Sequence, residues 1–240
     1  MIKLVRQNEH FHHKEDWLST YWHFSFDTYH DPANMGFGPL RVFNDDVIDA
    51  GKGFGFHPHR DMEIITYVID GELEHRDDMG GQGIIHAGEV QRMTAGKGIV
   101  HSERNHSDRP LRLLQMWIFA DRHGLDPSWE QQRFTAQERR DRLLPIVVAE
   151  GASGGNAVHI HQNASIYVSS LGTGKKIEHI LTSGRKAYLF VIDGSVTVNG
   201  QKMQKQDAAR IEDERRLTIQ ADKNSELILM DLPGKFDANN

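Results

Sequence analysis

Cysteine is absent from the 240 residues. Its absence excludes disulfide scaffolds, thiolate nucleophiles, iron–sulfur clusters and Cys-type zinc sites, so any metal must be held by His, Asp and Glu. Long apolar runs are missing as well. No segment approaches the roughly 20 apolar residues of a membrane-spanning helix, and the opening stretch MIKLVRQNEHFHHKED lacks the apolar centre of a signal peptide. The chain is therefore expected to be soluble and cytoplasmic, with no membrane partner. Clustered basic charge is also lacking. The formal charge is -6, with Lys and Arg scattered as in Lys175-Lys176 and Arg139-Arg140, so no stripe stands ready for a phosphate backbone and nucleic acid is not an expected partner. Helix signals are scarce. Thr135-Ala136-Gln137-Glu138 fits a capping box, is followed by RRDRLL and stops at Pro145, which predicts one short connecting helix.

What the sequence does contain is strands and turns. Tyr21 to Phe26 alternates aromatic with smaller residues, Leu40 to Phe43 is apolar and β-branched, and Leu111 to Phe119 is a further strand. Glu63 to Asp77 is split by Asp70-Gly71, a hairpin signal. Glycine turns at Gly80-Gly81, Ala87-Gly88 and Ala95-Gly96 punctuate the interval between strands. Frequent turns between short strands predict an all-β sandwich or barrel. The second half echoes the first: Tyr67 to Gly71 reads YVIDG and Phe190 to Gly194 reads FVIDG. Two copies of one β-fold are expected, divided as residues 1–140 and 141–240.

Two stretches carry the chemistry, FGFHPHR from Phe54 to Arg60 and GIVHSER from Gly98 to Arg104. Residues i and i+2 of a strand share a face, so His57 and His59 aim at one point, and so do His101 and Glu103. Pro58 biases His57 toward extended backbone and stiffens the pair. Three neutral imidazoles and one carboxylate suit a borderline divalent ion and leave it a net charge of about +1, which favours an anionic oxygen donor. Glu63 shares the parity of His57 and His59 and competes for the fourth position. Carried across the repeat, the four positions become Ile180, Thr182, Asn224 and Glu226, with His179 one place out of register. One metal per chain is expected, in the first half. His159-Ile160-His161 has no matching partner pair and reads as an exposed strand face. His10, His12 and His13 read as a solvated segment, and His75, His86, His106 and His123 as ordinary hydrogen-bonding residues. Phe54, Phe56 and Trp117 are candidate walls for an apolar pocket.

Gly51, His57-Pro58-His59 and Glu63 resemble the first motif of the cupin superfamily, and Gly88 through His101 to Asn105 resembles the second. More closely, HPHR, TYVIDG, AGEVQ and MTAGKGIVHSE are similar to the pirin family of bicupins, in particular its bacterial members assigned quercetin 2,3-dioxygenase activity. Beyond Pro145, Asn163 to Tyr167 and the VIDG repeat fit a degenerate second cupin. The resemblance implies two jelly-roll β-barrels and a metal set of His57, His59, His101 and Glu103, with Glu103 rather than Glu63 as ligand and as base. It implies one divalent transition metal per chain, Fe2+ first, with Zn2+, Co2+, Ni2+, Cu2+ or Mn2+ as alternatives. As substrates it implies a flavonol and O2, the flavonol bound as its enolate and cleaved with loss of carbon monoxide. Because the eukaryotic pirin is known as a nuclear cofactor of transcription regulators, the resemblance also admits a metal-responsive interaction module without turnover. One departure stands out: Asp61 replaces an expected glycine and would add a carboxylate near the site.

Overall fold

The computed structural model describes residues 1–236. Strands dominate, and the one helical segment among the described residues is a 3-10 turn at Gln7–Glu9. Among the described residues no helix is long and apolar enough to cross a membrane. The predicted connecting helix is a turn. Thr135 and Glu138 do make the capping contacts, with the Thr135 amide donating to Glu138 Oε2 at 2.7 Å and the Glu138 amide to Thr135 Oγ1 at 3.3 Å. The helix is not propagated, because Arg140 bridges Ser170 and Asp141 enters the left-handed region at φ 53°. A capping box supplies a start, but tertiary pairing takes the residues that would have continued it.

Contacts divide the chain into two units. Among the described residues, one comprises Phe11–Arg133 with Val158–Gln162; the other comprises Met1–His10, Phe134–Ala157 and residues 163–236. The first strand thus joins the second half of the sequence: Ile2–Val5 pairs antiparallel with Ala208–Ile211, covering what would otherwise be an open edge.

Each unit contains a larger and a smaller antiparallel sheet with matching strand order. In the first unit the larger sheet runs Ser128–Arg133, Glu89–Thr94, Met62–Asp70, Leu111–Phe119, Leu40–Ile48, Leu18–Trp22, Phe11–Lys14. The smaller runs Gly53–His59, Ile99–Arg104, Glu72–Asp77, Gln82–His86. In the second unit Arg185–Asp193 lies between Ala208–Ile211 and Ser225–Pro233, as Met62–Asp70 lies between Glu89–Thr94 and Leu111–Phe119. The VIDG repeat therefore marks equivalent strands. It does not mark a hairpin. Met62–Asp70 and Glu72–Asp77 belong to different sheets, so Asp70-Gly71 is where the chain crosses between layers. Gly71 has φ 89° and a Cβ there would sit 3.0 Å from Leu111 Cα; Gly194, with φ 83°, is crowded in the same way by Asn224. Only glycine fits that corner without strain.

The interior of the first unit is layered along its strands. Leu18, Ile48, Val68, Leu73, Ile85, Leu111 and Leu113, drawn from both sheets, form an apolar cluster. Ile64, Met93, Ala95 and Ile99 form a second, with Trp117 and Trp129 against it. Between them, Thr66 lies cross-strand from both Gln115 and Gln91. The positions i and i+2 along Met62–Asp70 thus pass from Ile64 through Thr66 to Val68, placing one polar layer between two apolar ones. Buried polar side chains at such cost need partners, and theirs is Glu103.

Candidate metal centre

Strands Gly53–His59 and Ile99–Arg104 are antiparallel neighbours, with His101 opposite His57 and Ile99 opposite His59. One nitrogen from each of His57, His59 and His101 lies within 4.8 Å of the others. The Nε2 atoms of His57 and His101 are 3.1 Å apart. His57 Nδ1 is 2.7 Å from the Gly55 carbonyl oxygen, to which it donates, so its Nε2 carries the lone pair that faces the centre. A register shift between His101 and Glu103 inserts an extra residue in Gly53–His59. This bulge reverses the alternation. Phe54 turns inward beside His57, while Phe56 is 67% exposed and is no pocket wall.

Glu103 is buried and accepts three hydrogen bonds: on Oε1 from Gln91 Nε2 at 2.6 Å and Thr66 Oγ1 at 3.2 Å, and on Oε2 from Gln115 Nε2 at 2.8 Å. A carboxylate has about four acceptor sites, so one remains, on Oε2. Glu103 also lies within 4.8 Å of His101 and His75. Trp129 extends the network by donating its Nε1–H to Gln91 Oε1 at 2.9 Å. Three neutral imidazoles and a buried carboxylate oxygen with a free lone pair fit a divalent transition ion.

His75 was not legible as part of this region. It is fully buried, its Nδ1 is 3.4 Å from His101 Nδ1, and its Nε2 is 3.0 Å from Asp77 Oδ2. If His75 Nε2–H donates to Asp77, its Nδ1 can accept from His101 Nδ1–H, which presents His101 Nε2 to the centre. The signal was available in His75-Arg76-Asp77, a same-face pair directly across from Glu103 and His101.

Other expectations are revised. Glu63 lies on the reverse face of its sheet, opposite in parity to Thr66, where it accepts from Thr94 Oγ1 at 2.9 Å and pairs with His161 Nδ1 at 2.9 Å. The parity linking it to His57 and His59 is broken at Asp61, whose φ of 49° explains why a glycine is expected there. The Asp61 carboxylate accepts from the Gly124 amide at 2.9 Å, which holds it below the usual carboxylate range. His161 is accordingly a half-buried partner of Glu63, whereas His159 is exposed. His10 is buried, and His13 stacks on Trp22 with ring centroids 4.6 Å apart. In the second unit His179 is held by Asp231 at 2.8 Å and Glu226 by Arg139 at 3.1 Å.

The imidazoles open into a cavity of about 330 Å³ lined by His57, His59, Glu103 and the rings of Trp17, Trp22, Phe26, Phe54 and Trp117. Asn44 and Asp46 lie in its wall. Burial pushes the Asp46 carboxyl up to about 7; the Thr20 hydroxyl opposes this, and the charges of Asp45 and Glu103 add to it. Burial, helped by the neighbouring imidazoles, lowers His59 to about 4 and His101 to about 3. Both are then neutral at neutral pH and ready to ligate. An unfolded chain would protonate them near 6.5, so the metal-free fold binds fewer protons than the unfolded state between those values and loses stability as pH falls through that window. Metal binding at about pH 5.5 should therefore release no more than about one imidazole proton. Calorimetry in two buffers of different ionisation enthalpy counts it, and release of three would contradict these environments.

The Pirin family profile matches residues 4–118, and that of the quercetinase C-terminal cupin domain matches residues 146–232. A quercetin 2,3-dioxygenase of Escherichia coli K12 is 43% identical over 234 residues, covering 97% of this chain and 99% of that protein. This chain belongs to the pirin family. A pirin-like protein of Caulobacter vibrioides is 41% identical, covering 90% of this chain and 92% of its own. Among solved structures, the bacterial pirin YhhW of E. coli in complex with nickel(II) superposes with a TM-score of 0.92 at 42% identity, covering 98% of this chain and all of that one. The fold is that of a bicupin, and the pirin relative's nickel complex accords with a divalent metal as cofactor.

Proposed function

We propose that this pirin is a metal-dependent dioxygenase that cleaves a flavonol such as quercetin with O2, using His57, His59, His101 and Glu103 as its metal set. The observation that carries the reading is the convergence of three imidazoles, two of which, His57 and His59, line an aromatic-walled cavity of about 330 Å³. A divalent transition ion bound there supplies Lewis acidity and open positions for oxygen donors. The nickel complex of the E. coli pirin supports such an ion, and Fe2+ is the first candidate for this chain. The one open acceptor position of Glu103 serves in turn as metal ligand and as acceptor of the flavonol hydroxyl proton, and the donors Thr66, Gln91 and Gln115 hold its carboxylate in place. Trp17, Trp22, Phe26, Phe54 and Trp117 stack against the aromatic rings and keep water away. In the overall reaction both atoms of O2 enter the cleaved ester, and carbon monoxide carries away one ring carbon with its oxygen.

The test is aerobic turnover by protein reconstituted in turn with Fe2+, Co2+, Ni2+, Cu2+, Mn2+ and Zn2+, following quercetin loss and carbon monoxide release. At least one metal should give both in equal amounts. Full occupancy with no turnover in every case would overturn the enzyme reading in favour of a metal-responsive interaction module.

A further inference from the structure

The cavity has a polar side that the metal set does not use. Along Leu40–Ile48, Asn44 and Asp46 share one face, while Asp45 between them points the other way and is gripped by Arg112 at 2.9 and 2.8 Å. Asn44 lies cross-strand from Gln115 on one side and Trp22 on the other; Asp46 lies cross-strand from Leu113 and Thr20. Both are 4% exposed, and both line the cavity. Among the described residues Asn44 Oδ1 has no hydrogen-bond partner, and neither has the buried Nε1 of Trp117 on the neighbouring strand. An unmatched buried acceptor and an unmatched buried donor in one cavity are costly unless a ligand satisfies them.

We infer that Asn44 and Asp46 form a second anchoring subsite, which binds a phenolic hydroxyl of the aromatic substrate other than the one that chelates. A neutral hydroxyl both donates and accepts, so it can donate to the Asn44 amide oxygen or the Asp46 carboxyl group and accept from Trp117 Nε1–H. The aromatic rings around the cavity suit the flat body to which such a hydroxyl is attached. The inference rests on the flavonol reading and narrows it: the preferred substrate carries ring hydroxyls in addition to the one that chelates.

The experiment compares quercetin with 3-hydroxyflavone, which keeps the chelating hydroxyl and ketone but lacks the other hydroxyls. Trp17, Trp22 and Trp117 line the cavity, so quenching of tryptophan fluorescence reports binding without turnover. Wild type, Asn44→Leu and Asp46→Asn are titrated metal-free and metal-loaded; both substitutions keep the number of side-chain heavy atoms, and thermal melting verifies the fold. Each variant should bind quercetin about 10-fold more weakly in both forms, with 3-hydroxyflavone changed by less than about 2-fold. Unchanged quercetin affinity, or equal weakening of both compounds, would overturn the subsite while leaving the flavonol reading intact. Wild-type protein that binds neither compound, metal-loaded or metal-free, would overturn both.

Discussion

Glu103→Gln is expected to cut flavonol turnover by about 10²–10⁴-fold with metal kept saturating, the usual range for loss of a general base. The substitution removes the negative charge and the proton acceptor while keeping the shape of the side chain. Its three neighbours all donate to Glu103, so a glutamine there must place its own NH2 against one of them; rotation of the Gln115 amide can restore the pairing. The fold should therefore persist, as melting will verify. Activity should recover in part at higher pH, where the flavonol hydroxyl ionises without help. Glu63→Gln is the control. Glu63 is fully buried and holds His161 and Thr94 on the reverse face of its sheet, so its change should lower stability by about 1–3 kcal/mol while turnover persists without need of high pH. The opposite ranking, with Glu63→Gln inactive and rescued by alkali, would assign ligand and base to Glu63.

Removing one imidazole should have the largest effect on the metal itself. His57→Ala and His101→Ala are each expected to weaken metal binding by more than about 100-fold, beyond the upper end for loss of an outer partner of a ligand. Elemental analysis after gel filtration should find one metal per wild-type chain and almost none in either variant. The β-fold should survive, because the apolar cluster of Val68, Leu73, Ile85 and Leu113 closes without any ion, unlike a zinc finger that folds around its metal. Full occupancy in both variants would remove these residues from the metal set. Two metals per chain, one of them lost on changing His159 and His161, would show a second site beside Glu63.

The sequence by itself determined the local periodicities and what depends on them. Alternation within a single strand was enough to pair His57 with His59 and His101 with Glu103, and the VIDG repeat was enough to predict two copies of one β-fold. Lack of cysteine confined any metal set to His, Asp and Glu. Tertiary structure decided whatever crosses a break in periodicity. Glu63 keeps the parity of His59 on paper, but the left-handed turn at Asp61 sends it to another sheet and the opposite face. The bulge in Gly53–His59 likewise separates Phe54 from Phe56, which simple alternation puts together. Asp70-Gly71 looks like a hairpin because a glycine corner is chemically the same whether the next strand returns beside the last or crosses to the facing sheet. The link from Asp77 through His75 to His101, the three donors around Glu103 and the polar wall of Asn44 and Asp46 join residues on separate strands. Their proximity is fixed by strand order and register, which arise from packing two sheets face to face and are encoded in no single stretch of the chain.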